Sequence, residues 1–160
     1  MKRFIALYFL FLGGLSALFY APTSEIAIGI NRTQTALTLE VLQWFLRPEQ
    51  LAGIDIWITP YYKIVITQAC NGLIPIFFYY ASILAYPSSI KAKLVWMLLG
   101  YVLFFIVNII RILLVVYVTE NGEGQGDFYW SHDLLGNTLL MITGLGLFIA
   151  FIKSIRRSEF

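Results

Sequence analysis

The sequence predicts an all-α polytopic membrane protein with about four transmembrane helices, an amphipathic helix on the outer face and a short β-hairpin. Three observations predict it. Of 160 residues, 59% are hydrophobic and 12% are charged, against about 45–50% and about 25% in ordinary soluble domains. The apolar residues gather in four segments of roughly membrane length. The basic residues sort to alternate ends of those segments, as the positive-inside rule requires. The length fits a single membrane-embedded domain over residues 1–160.

The first apolar segment runs from about Phe4 to Tyr20, after Lys2 and Arg3. Leu18, Phe19 and Tyr20, just before Ala21, lack the small-x-small pattern of a cleaved signal peptide, so the segment reads as a retained helix. A more polar region follows to about Gln68. Within it Ala36, Leu37, Val41, Trp44 and Phe45 recur at helical spacing, with Glu40 and Gln43 between them. That pattern predicts an amphipathic helix lying on the membrane surface. Gly53 to Thr59 then alternates, Pro60-Tyr61 breaks the run, and Tyr62 to Thr67 is again β-rich. Two short strands around a turn are expected, the second leading to Cys70. Three further apolar segments cover about Leu73–Tyr86, Leu94–Val118 and Leu134–Ile152. The first of these is short for a span, so it is read as extending back through Asn71 and Gly72; Pro87-Ser88-Ser89 ends it. Ala81/Ala85 and Gly146/Ala150 have the four-residue spacing that suits close helix packing. Gly122-Glu123-Gly124-Gln125-Gly126 reads as a flexible loop without the spacing of a nucleotide-binding motif.

With the N-terminus in the cytoplasm and four spans, Lys2, Arg3, Lys91, Lys93, Lys153, Arg156 and Arg157 fall inside. The acidic residues other than Glu159 fall outside. Both termini are then cytoplasmic, in an inner (cytoplasmic) membrane. The net charge of +2 and the absence of a basic tract exclude nucleic-acid binding. The one cysteine cannot form an internal disulfide. No metal site and no cofactor are expected.

This topology brings three residues to one layer near the outer surface: Cys70 at the start of the second span, Arg111 late in the third, and His132 at the start of the fourth. They are the only Cys, the only intramembrane Arg and the only His. A helix N-terminus and a nearby guanidinium both favour thiolate. A buried Arg is costly in hydrocarbon and needs a partner; fixed in place, it can stabilise an oxyanion. His132 can exchange a proton near neutral pH. Thiolate, imidazole and fixed cation form a working set for cysteine acyl transfer. Each residue also has a plainer reading: Cys70 as a small apolar filler, His132 as a cap, Arg111 as the ion-pair partner of Asp127 or Asp133. Asn108, three residues before Arg111 on the same face, can orient it or make a helix–helix hydrogen bond. Tyr129, Trp130 and Trp57 fit an interfacial aromatic belt.

The run Ala69-Cys70-Asn71-Gly72, then Asn108-Ile109-Ile110-Arg111 late in an apolar helix, then His132 at the next helix start, resembles the exosortase/archaeosortase family of multi-spanning cysteine transpeptidases. The likeness covers about residues 54–151, and the short chain looks like the compact members, such as exosortase H. The resemblance implies Cys70 as the nucleophile that forms a thioester, with Arg111 and His132 completing the catalytic set. Asn71, Gly72, Asn108 and Asp133 are candidates for binding or orienting substrate. It implies as partners secreted proteins ending in a short motif, a transmembrane helix and a basic tail, cleaved at the outer face and passed to an amine or glycolipid acceptor. The loop before His132, rich in Glu and Asp here, departs from the family pattern. Two rival readings are a non-catalytic membrane component of a polysaccharide or protein export system, and a small transporter with Arg111 as counter-ion. The clustering of polar residues at one side counts against the transporter.

Overall fold

A computed structural model describes residues 2–21, 24–122 and 136–158. In chain order the elements are α1 (Lys2–Phe19), α2 (Glu25–Leu42), β1 (Leu51–Ala52), β2 (Asp55–Thr59), β3 (Tyr62–Val65), α3 (Leu73–Ala85), α4 (Ile90–Asn121) and α5 (Asn137–Ser158). Among the described residues, α1, α4 and α5 are long and apolar enough to cross a membrane, and α3 is a shorter apolar helix. The protein is therefore an all-α multi-pass membrane protein with a small sheet.

The helices form one bundle. α3 sits at its centre, in contact with α1, α4 and α5. No residue of α1 is buried, as expected of a helix with most of its surface turned to lipid. At one end Phe4 stacks on Phe148, and Tyr86 and Trp96 pack on Phe151. These contacts gather the start of α1, the α3–α4 junction and the end of α5, and with them all seven basic residues assigned to the inside. The sheet and α2 lie toward the opposite end. Two cores follow from this division. Leu73, Ile76, Phe77, Tyr79, Ile83, Phe104, Leu140, Leu147 and Phe151 fill the helical bundle. Leu42, Ile56, Ile64, Ile66, Cys70, Ile109, Ile112, Val115 and Val116 join the sheet to the outer half of α4.

The strand pair forms as expected, with β1 added at its edge in the order β1-β2-β3, all antiparallel. Ile56 and Ile64 are cross-strand partners on the buried face. On the other face Lys63 pairs with Asp55 at 2.5 Å and lies over the Trp57 ring.

Several expectations are corrected. The second span does not extend back through Asn71 and Gly72. Gly72 adopts φ 67°, a left-handed conformation that stops helix propagation, and α3 starts at Leu73. Tyr86 leaves the helix in extended conformation before Pro87. The helix in the polar region starts earlier, at Ser24, whose Oγ accepts from Ala27 N. It buries Ala27, Gln34, Thr38 and Leu42, while Leu37, Trp44 and Phe45 are exposed. Its polar stripe faces the protein. Gly146 and Ala150 are exposed, and nothing lies within 4 Å of a Cβ placed at Gly146. The close approaches are instead at Gly100, where a Cβ would stand 2.1 Å from the Tyr79 ring, and at Gly144, 3.1 Å from Phe104.

Candidate active site

Cys70 lies in a tight turn, Gln68–Asn71, between β3 and α3. It sits before the Gly72 cap and outside the first turn of α3, so the helix dipole, which fades within one turn, acts on it more weakly than the sequence suggests. Three consecutive ties hold this turn to three helices. Gln68 Nε2 donates to Tyr20 O at the end of α1, at 3.0 Å. Asn108 Nδ2 of α4 donates to Cys70 O at 2.9 Å. Asn71 Nδ2 donates to Asn31 Oδ1 and Thr35 Oγ1 of α2, at 3.1 and 3.0 Å.

Arg111 is 1% exposed. Its Nη1 donates to Asn108 Oδ1 at 3.1 Å. The Asn108 amide thus accepts from the guanidinium and donates to the cysteine's carbonyl, and only one orientation of the amide does both. Arg111 lies ten residues before the end of α4 at Asn121, about 15 Å along the axis. Gly136, at the start of α5, lies against the arginine stem: a Cβ there would stand 2.6 Å from Arg111 Nε. Gly72 is required twice, by its positive φ and because a Cβ would meet the Asn108 amide at 3.2 Å.

Cys70 and Arg111 line one narrow cleft with Ile64 and Ile66 of the β3 segment and Ile112, Val115 and Val116 of α4. Cys70 is 7% exposed. Its Sγ lies 3.9 Å from Val65 O and 3.8 Å from Thr67 Oγ1. A thiol beside a buried cation, walled by aliphatic side chains, is poor at holding water and suited to charge-stabilised chemistry. Among the described residues no cluster of His, Cys, Asp and Glu could hold a metal. His132 and Asp133 lie outside the described residues, as do Asp127, Tyr129 and Trp130.

The chain matches the model of the transmembrane exosortase family (Exosortase_EpsH) over residues 2–149. It belongs to the transmembrane exosortase family. No curated protein and no solved structure matches it. The match takes in α1 and α2 of this exosortase, well before residue 54, where the likeness read from the sequence begins.

That wider reach agrees with the geometry. Asn31 and Thr35, which hold the Cys70 turn through Asn71, were not among the residues expected to matter. A signal for them exists: Asn31, Gln34, Thr35 and Thr38 recur at i, i+3, i+4 and i+7, a polar stripe on one helical face. Gln34 extends the stripe to α4, where Tyr101 OH donates to its Oε1 at 2.6 Å. The apolar repeat of Leu37, Val41, Trp44 and Phe45 is the stronger pattern by hydropathy and masks this stripe.

Proposed function

We propose that this exosortase is a cysteine protease and transpeptidase of the cytoplasmic membrane, acting at its outer face on secreted proteins that end in a motif, a transmembrane helix and a basic tail. The observation that carries the reading is the sharing of one cleft by Cys70 and Arg111, with Asn108 bridging them. Family membership supports it. The basic residues at the far end of the bundle support a cytoplasmic inner end and an outward-facing site.

In this mechanism the Cys70 thiolate attacks the scissile carbonyl carbon. The carbonyl π electrons move to oxygen, and the oxyanion is met by the Arg111 guanidinium. The C–N bond then breaks, and the leaving amine takes its proton from the His132 imidazolium, leaving an acyl thioester on Cys70. An acceptor amine or glycolipid hydroxyl attacks the thioester, His132 takes the proton, and the thiolate leaves. Asn108 fixes Arg111 relative to the turn, and Gly72 lets Asn108 approach that turn closely.

The test uses a secreted reporter fused to a C-terminal motif, helix and basic tail from the same genome. Cys70→Ala, Arg111→Ala and His132→Ala are each expected to abolish processing while the protein stays in the membrane, and mass spectrometry is expected to find an acyl group on Cys70. Unchanged processing by Cys70→Ala would sink the mechanism and favour a non-catalytic export component.

A further inference from the structure

The strand that leads to Cys70 has an edge that no described strand covers, and its register says which backbone groups occupy it. Ile66 N donates to Ile54 O at 2.9 Å, and Ile64 is the partner of Ile56. In an antiparallel ladder, hydrogen-bonded pairs recur every second residue. Ile64 and Ile66 therefore turn their backbone groups toward β2, and Lys63 and Val65 turn theirs to the opposite edge. The contact of Cys70 Sγ with Val65 O independently agrees with that direction. No further strand pairs with β3 among the described residues.

An open edge is normally a liability, blunted by a lysine or a covering element. Lys63 does not guard this one. Its ammonium is turned back over the sheet onto Asp55 and Trp57, both of β2. The edge also runs into the cleft: Ile64 and Ile66 line it beside Cys70, Arg111 and the aliphatic residues of α4. Backbone donors and acceptors along an edge that ends beside the Cys70 and Arg111 cleft are the recognition chemistry of an extended peptide added as a strand.

We infer that the Lys63–Val65 edge of β3 binds the extended segment of the substrate, just outside its membrane helix, as a fourth strand. The assignment rests on the cysteine mechanism proposed above. Pairing at Val65 brings the peptide backbone alongside the residue whose carbonyl touches the thiol, so register on the strand selects which peptide bond meets Cys70. Main-chain bonds supply affinity, and the alternate side chains that the added strand turns to one face supply sequence preference.

Val65→Pro deletes the outward N–H and spares the ladder to β2; proline is tolerated on edge strands. Val65→Ala trims the side chain and keeps the N–H. Reporter processing is expected to be about two- to tenfold lower in Val65→Pro than in Val65→Ala, the equivalent of one lost hydrogen bond. Equal processing by both variants would overturn the inference. If Val65→Pro fails to accumulate, Lys63→Cys in a Cys70→Ala background decides: it is expected to form disulfides with cysteines scanned along the reporter segment at every second position. Cross-links without that periodicity, or between two copies of the enzyme instead, would overturn it. Cys70→Ala separates the two ideas. If it still processes, the cysteine mechanism falls and the inference with it; if it is inert while Val65→Pro works normally, the inference alone falls.

Discussion

Asn108 is the residue on which the site's geometry turns. It is 1% exposed and each end of its amide is used. Asn108→Ala leaves the buried Cys70 carbonyl without that donor and removes an acceptor from a buried cation. A loss of about 2–3 kcal/mol is expected from a hydrogen bond to a charged group, read as a lower unfolding midpoint in detergent, together with a drop in reporter processing. Gly136 offers a sharper contrast. Gly136→Ala drives a Cβ into the Arg111 stem and is expected to cost about 1–3 kcal/mol and to impair processing. Gly146→Ala on the same helix, where nothing lies within 4 Å, is expected to change neither. The link between Asn108 and Arg111 is legible in the sequence because it is local: i and i+3 share a helical face. The link between Asn108 and Cys70 spans 38 positions and depends on how α3 and α4 pack, which no periodicity encodes.

Among the elements, α2 departs most from expectation. Its helical character is readable from its repeats, and its apolar residue Leu37, with Trp44 and Phe45 just beyond, is exposed as a membrane-surface helix requires; the opposite, polar stripe carries the contacts with the protein. In lipid an apolar face is at home outside, so the polar stripe goes in to meet Asn71 and Tyr101. Thr38 is fully buried, and its Oγ1 has no hydrogen-bond partner among the described residues. Thr38→Val is therefore expected to stabilise the protein, by up to about 1–2 kcal/mol, whereas Thr35→Val, which breaks the tie to Asn71, is expected to destabilise it and slow processing. Thermal unfolding separates the two signs, and destabilisation by Thr38→Val would contradict the account. The contact of α3 with α4 is equally specific. Tyr79 OH donates to Trp96 O at 2.9 Å, and its ring fills the space over Gly100. Gly100→Ala is expected to cost much less in a Tyr79→Ala background, a non-additivity that a double-mutant cycle measures. The exposed Arg47–Glu120 ion pair between the loop after α2 and the end of α4 is worth little by comparison.

For the whole molecule, sidedness can be mapped directly. In a Cys70→Ala background, an impermeant thiol reagent added outside is expected to label Tyr61→Cys, at the tip of the β2–β3 turn and 98% exposed. It is expected to leave Ser88→Cys and Lys153→Cys untouched; the reverse pattern would invert the topology. The fold class is readable from composition, because apolar length is a property of the chain alone. The depth of the site is not, because it depends on where α3 stops. α3 has 13 residues, about 20 Å of helix, beside a hydrocarbon layer of about 30 Å. Its start carries Gly72 and, just before it, a buried asparagine and the cysteine, groups that lipid tails cannot solvate. With the outward-facing site proposed above, a helix this short is matched by a bilayer several ångströms thinner at this point. Bilayer thickness is then expected to control the proposed processing: in vesicles of progressively longer acyl chains it should slow while the protein stays folded, and a rate indifferent to chain length would contradict such a match.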